Sequence, residues 1–178
     1  MDERIAIRAL QPSDLPPYKA MRDAMLAAYP LAYTSDFEAE SLRPADSFRS
    51  RLDVDHTEGG HFTLGALVSE QLVGAISCER DPRAKVRHIG HITAMMVLPG
   101  WQRRGIGRAL TRACIARARG AAGLTLLTLS VTSTNEEARR LYLDSGFKPY
   151  GRLEGALRWD GRYHGKDYLC LWLTEHEP

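Results

Sequence analysis

Gln102-x-x-Gly105-x-Gly107, placed just after an apolar run that closes on Val97, is the part of this 178-residue chain best suited to holding a polyanion. Glycines at alternate positions let the backbone approach a ligand closely and take up positive φ. The helical pattern that follows brings unpaired N–H groups and the positive end of a helix dipole to the same point. Arg103, Arg104, Arg108 and Arg112 add full charges to that partial one. A pyrophosphate is the chemistry this loop fits. Its candidate contacts are Gln102, Arg103, Arg104 and Gly105, then Ile106, Gly107, Arg108 and Ala109 at the helix start. The arginines alone would also fit a solvated helix face, and the glycines favour the bound anion. A dinucleotide fingerprint is disfavoured because Leu110 stands where a third small residue is needed, and no Gly-Lys-Ser/Thr phosphate loop occurs.

Further along, one helix and one strand away, stands Asn135-x-x-Ala138-x-x-Leu141-Tyr142-x-x-x-Gly146-Phe147. Together and in this order the two segments resemble the cofactor segments of the GCN5-related N-acetyltransferases (GNAT). The resemblance extends over nearly the whole chain and is most specific across residues 88–147. It implies acetyl-coenzyme A (acetyl-CoA) as cofactor and direct transfer of an acetyl group to a primary amine, with a small molecule or amino acid as the partner. It also implies that the strand carrying Met95, Met96 and Val97 splays from the next parallel strand. Freed backbone groups would then bind the pantetheine arm, and the N–H near Met96 or Val97 would polarise the thioester carbonyl. Tyr142 matches the family's tyrosine and is the candidate general acid, since a phenol of pKa about 10 stays protonated at neutral pH. On its helix pattern alone Tyr142 suits a core position better, and it is the match of both segments that favours catalysis or cofactor contact. Asn135 suits a helix cap, a cofactor contact, or both.

Many members of that family carry a glutamate in the strand corresponding to residues 88–97, and this chain has none there. The remaining candidates for the base are His91, which by alternation shares a face with Thr93, Met95 and Val97, and Glu79 near the end of the preceding strand. Freeing an α-amine of pKa about 8 at pH 7 costs about 1.4 kcal/mol, against about 4.6 kcal/mol for a lysine side chain. Weak base assistance therefore suits an α-amine acceptor. In residues 29–40, Tyr33, Phe37 and Glu38 combine aromatic faces with a carboxylate and are the candidate acceptor contacts, with Glu40 beside them. The same residues also suit a loop that covers the core. Trp159, Tyr163 and His164 either border that site or stabilise a hairpin by cross-strand contact. Two other readings stay open: acetylation of a protein N-terminus or lysine, and a coenzyme A-binding module without turnover.

The elements that would position these residues follow from periodicity and turn chemistry. Residues 4–8 alternate as a strand, and Ser13-Asp14 caps a helix over 15 to about 29, with Pro16 and Pro17 in its first turn. Residues 31–43 lack periodicity, and a second short helix runs from Pro44 to about residue 55. Strands over 61–68 and 72–79 form an antiparallel hairpin. A strand over 88–97, the helix from Gly105 to about Gly120 and a buried strand over 124–131 make a right-handed crossover. Thr134-x-x-Glu137 has capping-box form ahead of a short helix. Strands over 150–159 and 166–173 are joined at Asp160-Gly161. The expected fold is a single mixed α/β domain, its sheet mostly antiparallel with one splayed parallel pair, flanked by helices. The charge balance of 24 basic and 22 acidic residues argues against general nucleic-acid binding. Three scattered cysteines indicate neither a disulfide framework nor a zinc site. The absence of an apolar run of spanning length predicts no membrane partner and a cytoplasmic protein. Exposed strand edges near the C-terminus would allow a homodimer.

Overall fold

The computed structural model describes residues 4–52 and 59–174. In chain order the elements are β1 (Ala6–Ala9), α1 (Leu15–Ala28), α2 (Phe37–Ser41), β2 (Phe62–Val68), β3 (Gln71–Arg80) and β4 (Ile89–Val97). They continue with α3 (Ile106–Arg119), β5 (Leu126–Thr132), α4 (Glu136–Asp144), β6 (Lys148–Trp159) and β7 (Arg162–Trp172). The strands form one sheet in the order β1-β2-β3-β4-β5-β7-β6. Among the described residues only β4 and β5 run parallel, as expected of the crossover through α3. Each face of the sheet buries an apolar layer. Ile106, Leu110 and Cys114 of α3 and Tyr142 of α4 pack on one side with Ile76, Leu127 and Leu129. Leu15, Tyr18, Met21 and Met25 of α1 pack on the other with Phe48, Ala75 and Met96.

Two hairpin turns have the geometry their positions demand. Ser69 and Glu70 take φ of 46° and 67°, and Asp160 and Gly161 take 48° and 73°. Positive φ at both central residues matches the right-handed twist of the flanking strands. The caps follow expectation only in part. Asp14 precedes α1, but its carboxylate accepts the Gln11 N–H at 2.7 Å and pairs with Arg8 at 2.6 Å. At α4 the cap is Asn135, as one of its two expected roles had it, and not Thr134 of the expected capping box; its Oδ1 accepts the Ala138 N–H at 3.1 Å. The second expected helix is a 3-10 turn, Ala45–Arg51, and its expected end near residue 55 lies outside the described residues. The stretch expected to be a loop carries α2, whose N-cap Asp36 accepts the Ala39 N–H at 2.8 Å.

The decisive irregularity lies in β4. Ala75 pairs with Met96 and Ser77 with Thr93, so β4 holds one residue more than β3 over this span. Ala94 absorbs it at φ 49°. Such a bulge bends a strand and breaks its ladder. The parallel pairing of β4 with β5 stops at His91↔Thr128. Beyond that rung the two strands separate.

Candidate active site

The bulge rearranges which residues share a face. Ile92 packs with the α3 layer and Ala94 and Met96 with the α1 layer, while Met95 and Val97 return to the α3 side. His91 and Thr93 therefore do not share a face with Met95 and Val97, contrary to simple alternation. The carbonyl of Met95 accepts the Tyr33 hydroxyl at 3.3 Å, and that of Val97 accepts Gln102 Nε2 at 3.0 Å. Both carbonyls thus point away from β3. Within a strand, one residue's N–H and C=O point to the same edge, so the N–H groups of Met95 and Val97 face the gap left by β5. Met96 faces the other way: its carbonyl lies 3.0 Å from where a Cβ on Gly74 of β3 would stand, and its side chain is buried. Of the expected pair Met96 and Val97, only Val97 has its amide directed away from β3, on the side of the larger cavity that it lines. Met95 joins it there.

Two cavities meet at this gap. The larger, of about 740 Å³, runs from Tyr29 and Tyr33 past Met95 and Val97 to Gly105, Gly107 and Arg108, with Asn135, Arg140 and Leu141 of the α4 region opposite. The smaller, of about 120 Å³, is the gap itself, lined by Thr93, Ala94 and Met95 on one side and Leu129, Ser130 and Val131 on the other. Ala32, Tyr33, Met95, Asn135 and Ala138 line both. Tyr142 closes the smaller one from the α4 side. It is 4% exposed, and its ring meets Phe147 edge-on at 5.6 Å. Burial first, and then the neighbouring Cys114 and Tyr33, push its phenol above the usual value. Burial likewise raises Tyr33.

The larger cavity suits a phosphate-bearing ligand. Gly105, at φ 80°, is the N-cap of α3 and has no side chain to cap it. The first backbone bond of the helix runs from the Ala109 N–H to the Gly105 carbonyl at 3.0 Å. The N–H groups of Ile106, Gly107 and Arg108 accordingly have no intrahelical partner. Arg103, Arg108 and Arg140 line the same cavity with no ion-pair partner among the described residues. Arg104 instead lies over the Trp101 ring at 4.8 Å. The Ile106 side chain is buried in the core, and Ala109 lies outside the cavity lining, so these two take part through the helix start and not through their side chains.

The remaining candidates separate. Glu79 accepts a hydrogen bond from Thr93 Oγ1 at 2.9 Å and pairs with Arg51 at 3.4 Å. His91 sits opposite Glu79 on the ladder, exposed, with Nδ1 2.6 Å from Thr128 Oγ1. Tyr33 lines both cavities, whereas Phe37 and Glu38 are exposed on α2 and line neither. Glu40 is taken up by Arg22 at 2.7 Å and Arg43 at 2.9 Å. Trp159 and Tyr163 are exposed on the β6–β7 hairpin, outside both cavities. Sequence reasoning passed over Tyr29, Thr93, Ser130 and Arg140. No spacing marks them: Thr93 and Ser130 come together only at the gap, and Tyr29 and Arg140 only at the larger cavity.

The structure superposes on the acetyltransferase of GNAT family from Streptococcus pneumoniae with TM-score 0.87 and 21% identity, covering 96% of this chain and 100% of that one. It superposes on the Salmonella typhimurium protein yncA, solved with its cofactor acetyl-CoA, with TM-score 0.79 and 18% identity over 98% and 97% of the two chains. At these identities the likeness is one of fold. Residues 19–147 match the Acetyltransferase (GNAT) family, and the chain belongs to it. A curated relative, N-alpha-acetyltransferase 30 of Xenopus laevis, is 35% identical over 83 residues, which is 46% of this chain and 30% of that protein. The described residues include no helix long and apolar enough to cross a membrane and no cluster able to hold a metal ion.

Proposed function

We propose that the protein uses acetyl-CoA to acetylate the primary amine of a small molecule or amino acid by direct transfer. The observation that carries this reading is the gap between β4 and β5, which joins the anion-binding cavity to the buried phenol of Tyr142. Ile106, Gly107 and Arg108 would hold the pyrophosphate through their N–H groups, with Arg103 and Arg108 neutralising it. Bound acetyl-CoA supplies a thioester, whose carbonyl is open to attack by an amine and whose sulfur is the leaving group. Met95 would direct its N–H at the carbonyl oxygen, because it lines both cavities whereas Val97 lines only the larger. A donor fixed in that way lowers the barrier by about 3–4 kcal/mol.

Tyr142 would give its proton to the departing sulfur. With ordinary values of about 10 for a phenol and 8.5 for a thiol, the transfer is uphill by about 2 kcal/mol. Burial raises the phenol. It raises a thiolate's proton affinity in the same dry site as well, which keeps the two matched. Tyr142 lines the gap from the α4 side of the sheet, and Thr93 of β4 and Ser130 of β5 line it from its two strand walls. Amine and thioester would meet there. The test is acetyl-CoA consumption, read as free thiol release, across amino acids, polyamines, aminoglycosides and peptides bearing a free N-terminus or a lysine. Amine-dependent release supports the transferase; binding of acetyl-CoA without release refutes it in favour of a binding module. A polypeptide N-terminus is the second reading, favoured by the identity shared with N-alpha-acetyltransferase 30, and faster turnover of peptides than of amino acids would select it.

A further inference from the structure

We infer that Thr93, backed by Glu79, takes the proton from the attacking amine, which makes Thr93 a catalytic residue of the transfer. The inference rests on the reading above and names the base which that reading lacks. The β3–β4 register sets Glu79 opposite His91 and Ser77 opposite Thr93, so Glu79 reaches Thr93 as a diagonal cross-strand neighbour. Thr93 Oγ1 donates to Glu79 Oε1 at 2.9 Å. A hydroxyl has one proton and two lone pairs. With the proton committed to the carboxylate, the lone pairs are left for a donor, and Thr93 lines the gap where an amine would stand. The Arg51 guanidinium, with Nε 3.4 Å from the same Oε1, holds the carboxylate in place. His91 is less well placed, because it belongs to the last closed rung of the β4–β5 ladder, below the gap, and is bonded there to Thr128.

The step balances as follows. The acceptor enters as the free amine, and its nitrogen forms a bond to the acetyl carbon as the carbon–sulfur bond breaks. The amine proton passes to Thr93 Oγ1 while the threonine's own proton passes to Glu79. Tyr142 protonates the sulfur. Glu79 then loses its proton to water and Tyr142 regains one from water.

The experiment uses the full chain, acetyl-CoA as donor, and the fastest acceptor among amino acids, polyamines, aminoglycosides and peptides. Thr93→Val and Glu79→Gln should each lower kcat by about 100-fold, the contribution typical of general base catalysis. The acetyl-CoA Kd, measured by calorimetry, should stay unchanged. The double variant should be no slower than either single one, because both remove the same relay. Thr93→Ser, which restores the hydroxyl, should recover most of the rate. A Thr93→Val protein within about threefold of wild type overturns the inference, as do single losses that multiply to about 10⁴-fold in the double variant. A Thr93→Ser protein as slow as Thr93→Val overturns it too. A wild-type protein that binds acetyl-CoA yet releases no thiol with any amine is a different result and overturns the transferase reading itself.

Discussion

Replacing Gly107 by alanine should separate folding from cofactor binding. Gly107 is the second residue of α3 and has no positive φ, so alanine fits its backbone. In a helix interior alanine is favoured over glycine by about 0.8–1.0 kcal/mol, and part of that gain applies in the first turn. The added Cβ would stand 3.2 Å from Met95 Cε and 3.4 Å from Leu141 Cδ2. Met95 can yield, because the atom concerned is the end of a flexible side chain, but it yields towards the cavity it lines. Overpacking by a methyl group costs about 1–3 kcal/mol. If that cost falls on the bound state, it corresponds to a loss of about 5- to 150-fold in affinity.

Calorimetric titration with acetyl-CoA and thermal unfolding would be read side by side. The expected outcome is a Kd weakened within that range with a Tm equal to or above wild type. Two neighbours calibrate it. Gly105→Ala places its Cβ in open space but at φ 80°, so it should lose about 1–2 kcal/mol of stability to backbone strain. Gly100→Ala meets nothing within 4 Å and should be silent in both measurements. A Gly107→Ala protein that binds acetyl-CoA as tightly as wild type would refute the argument that the start of α3 is the cofactor's seat.

Tyr142→Phe should lower kcat by about 100-fold in the thiol-release assay. Its acetyl-CoA Kd and Tm should hold, because the hydroxyl has no hydrogen-bond partner among the described residues. Glu40→Gln should cost about 3–5 kcal/mol in urea unfolding, since it leaves Arg22, 4% exposed, without its buried counter-charge. Burial pushes the Glu40 carboxyl up, but Arg22 and Arg43 outweigh it and hold it below its ordinary value; the Arg8 hydrogen bond lowers Asp14, and the Arg152 hydrogen bond lowers Asp167. Groups lowered in the folded state add stability above their unfolded values and lose it as pH falls through the folded ones. The urea midpoint should therefore fall as pH drops below about 4, and less steeply in Glu40→Gln. Phe37→Ala and Glu38→Gln, both exposed and off the cavity walls, should leave the acceptor KM unchanged in steady-state kinetics.

Most of the scaffold was legible because it depends on short-range chemistry. Alternation marked the strands, and Asp160-Gly161 and the Ser69 turn marked the hairpins. The glycines of residues 105–107 marked the start of α3. Partner choices at longer range were hidden: Glu40 read as an acceptor contact because nothing in its neighbourhood announces Arg22, eighteen positions earlier, as its counter-charge. The most consequential omission was the bulge. Ala94 adopts φ 49° with a side chain that does not favour that region, so no local signal records it. A one-residue shift in register exchanges the two faces of a strand. It moved Met95 into the gap and Met96 out of it, and it detached Thr93 from the face of Met95 and Val97. Ala94 in the left-handed region stores strain that the surrounding pairing must offset, and such strain persists where function depends on the resulting shape. Here it ends the β4–β5 ladder at His91 and opens the gap that Tyr142, Met95 and Thr93 line. Among the described non-glycine residues at positive φ, Ala94 lies inside a strand and away from any turn, and it is the residue that makes the site.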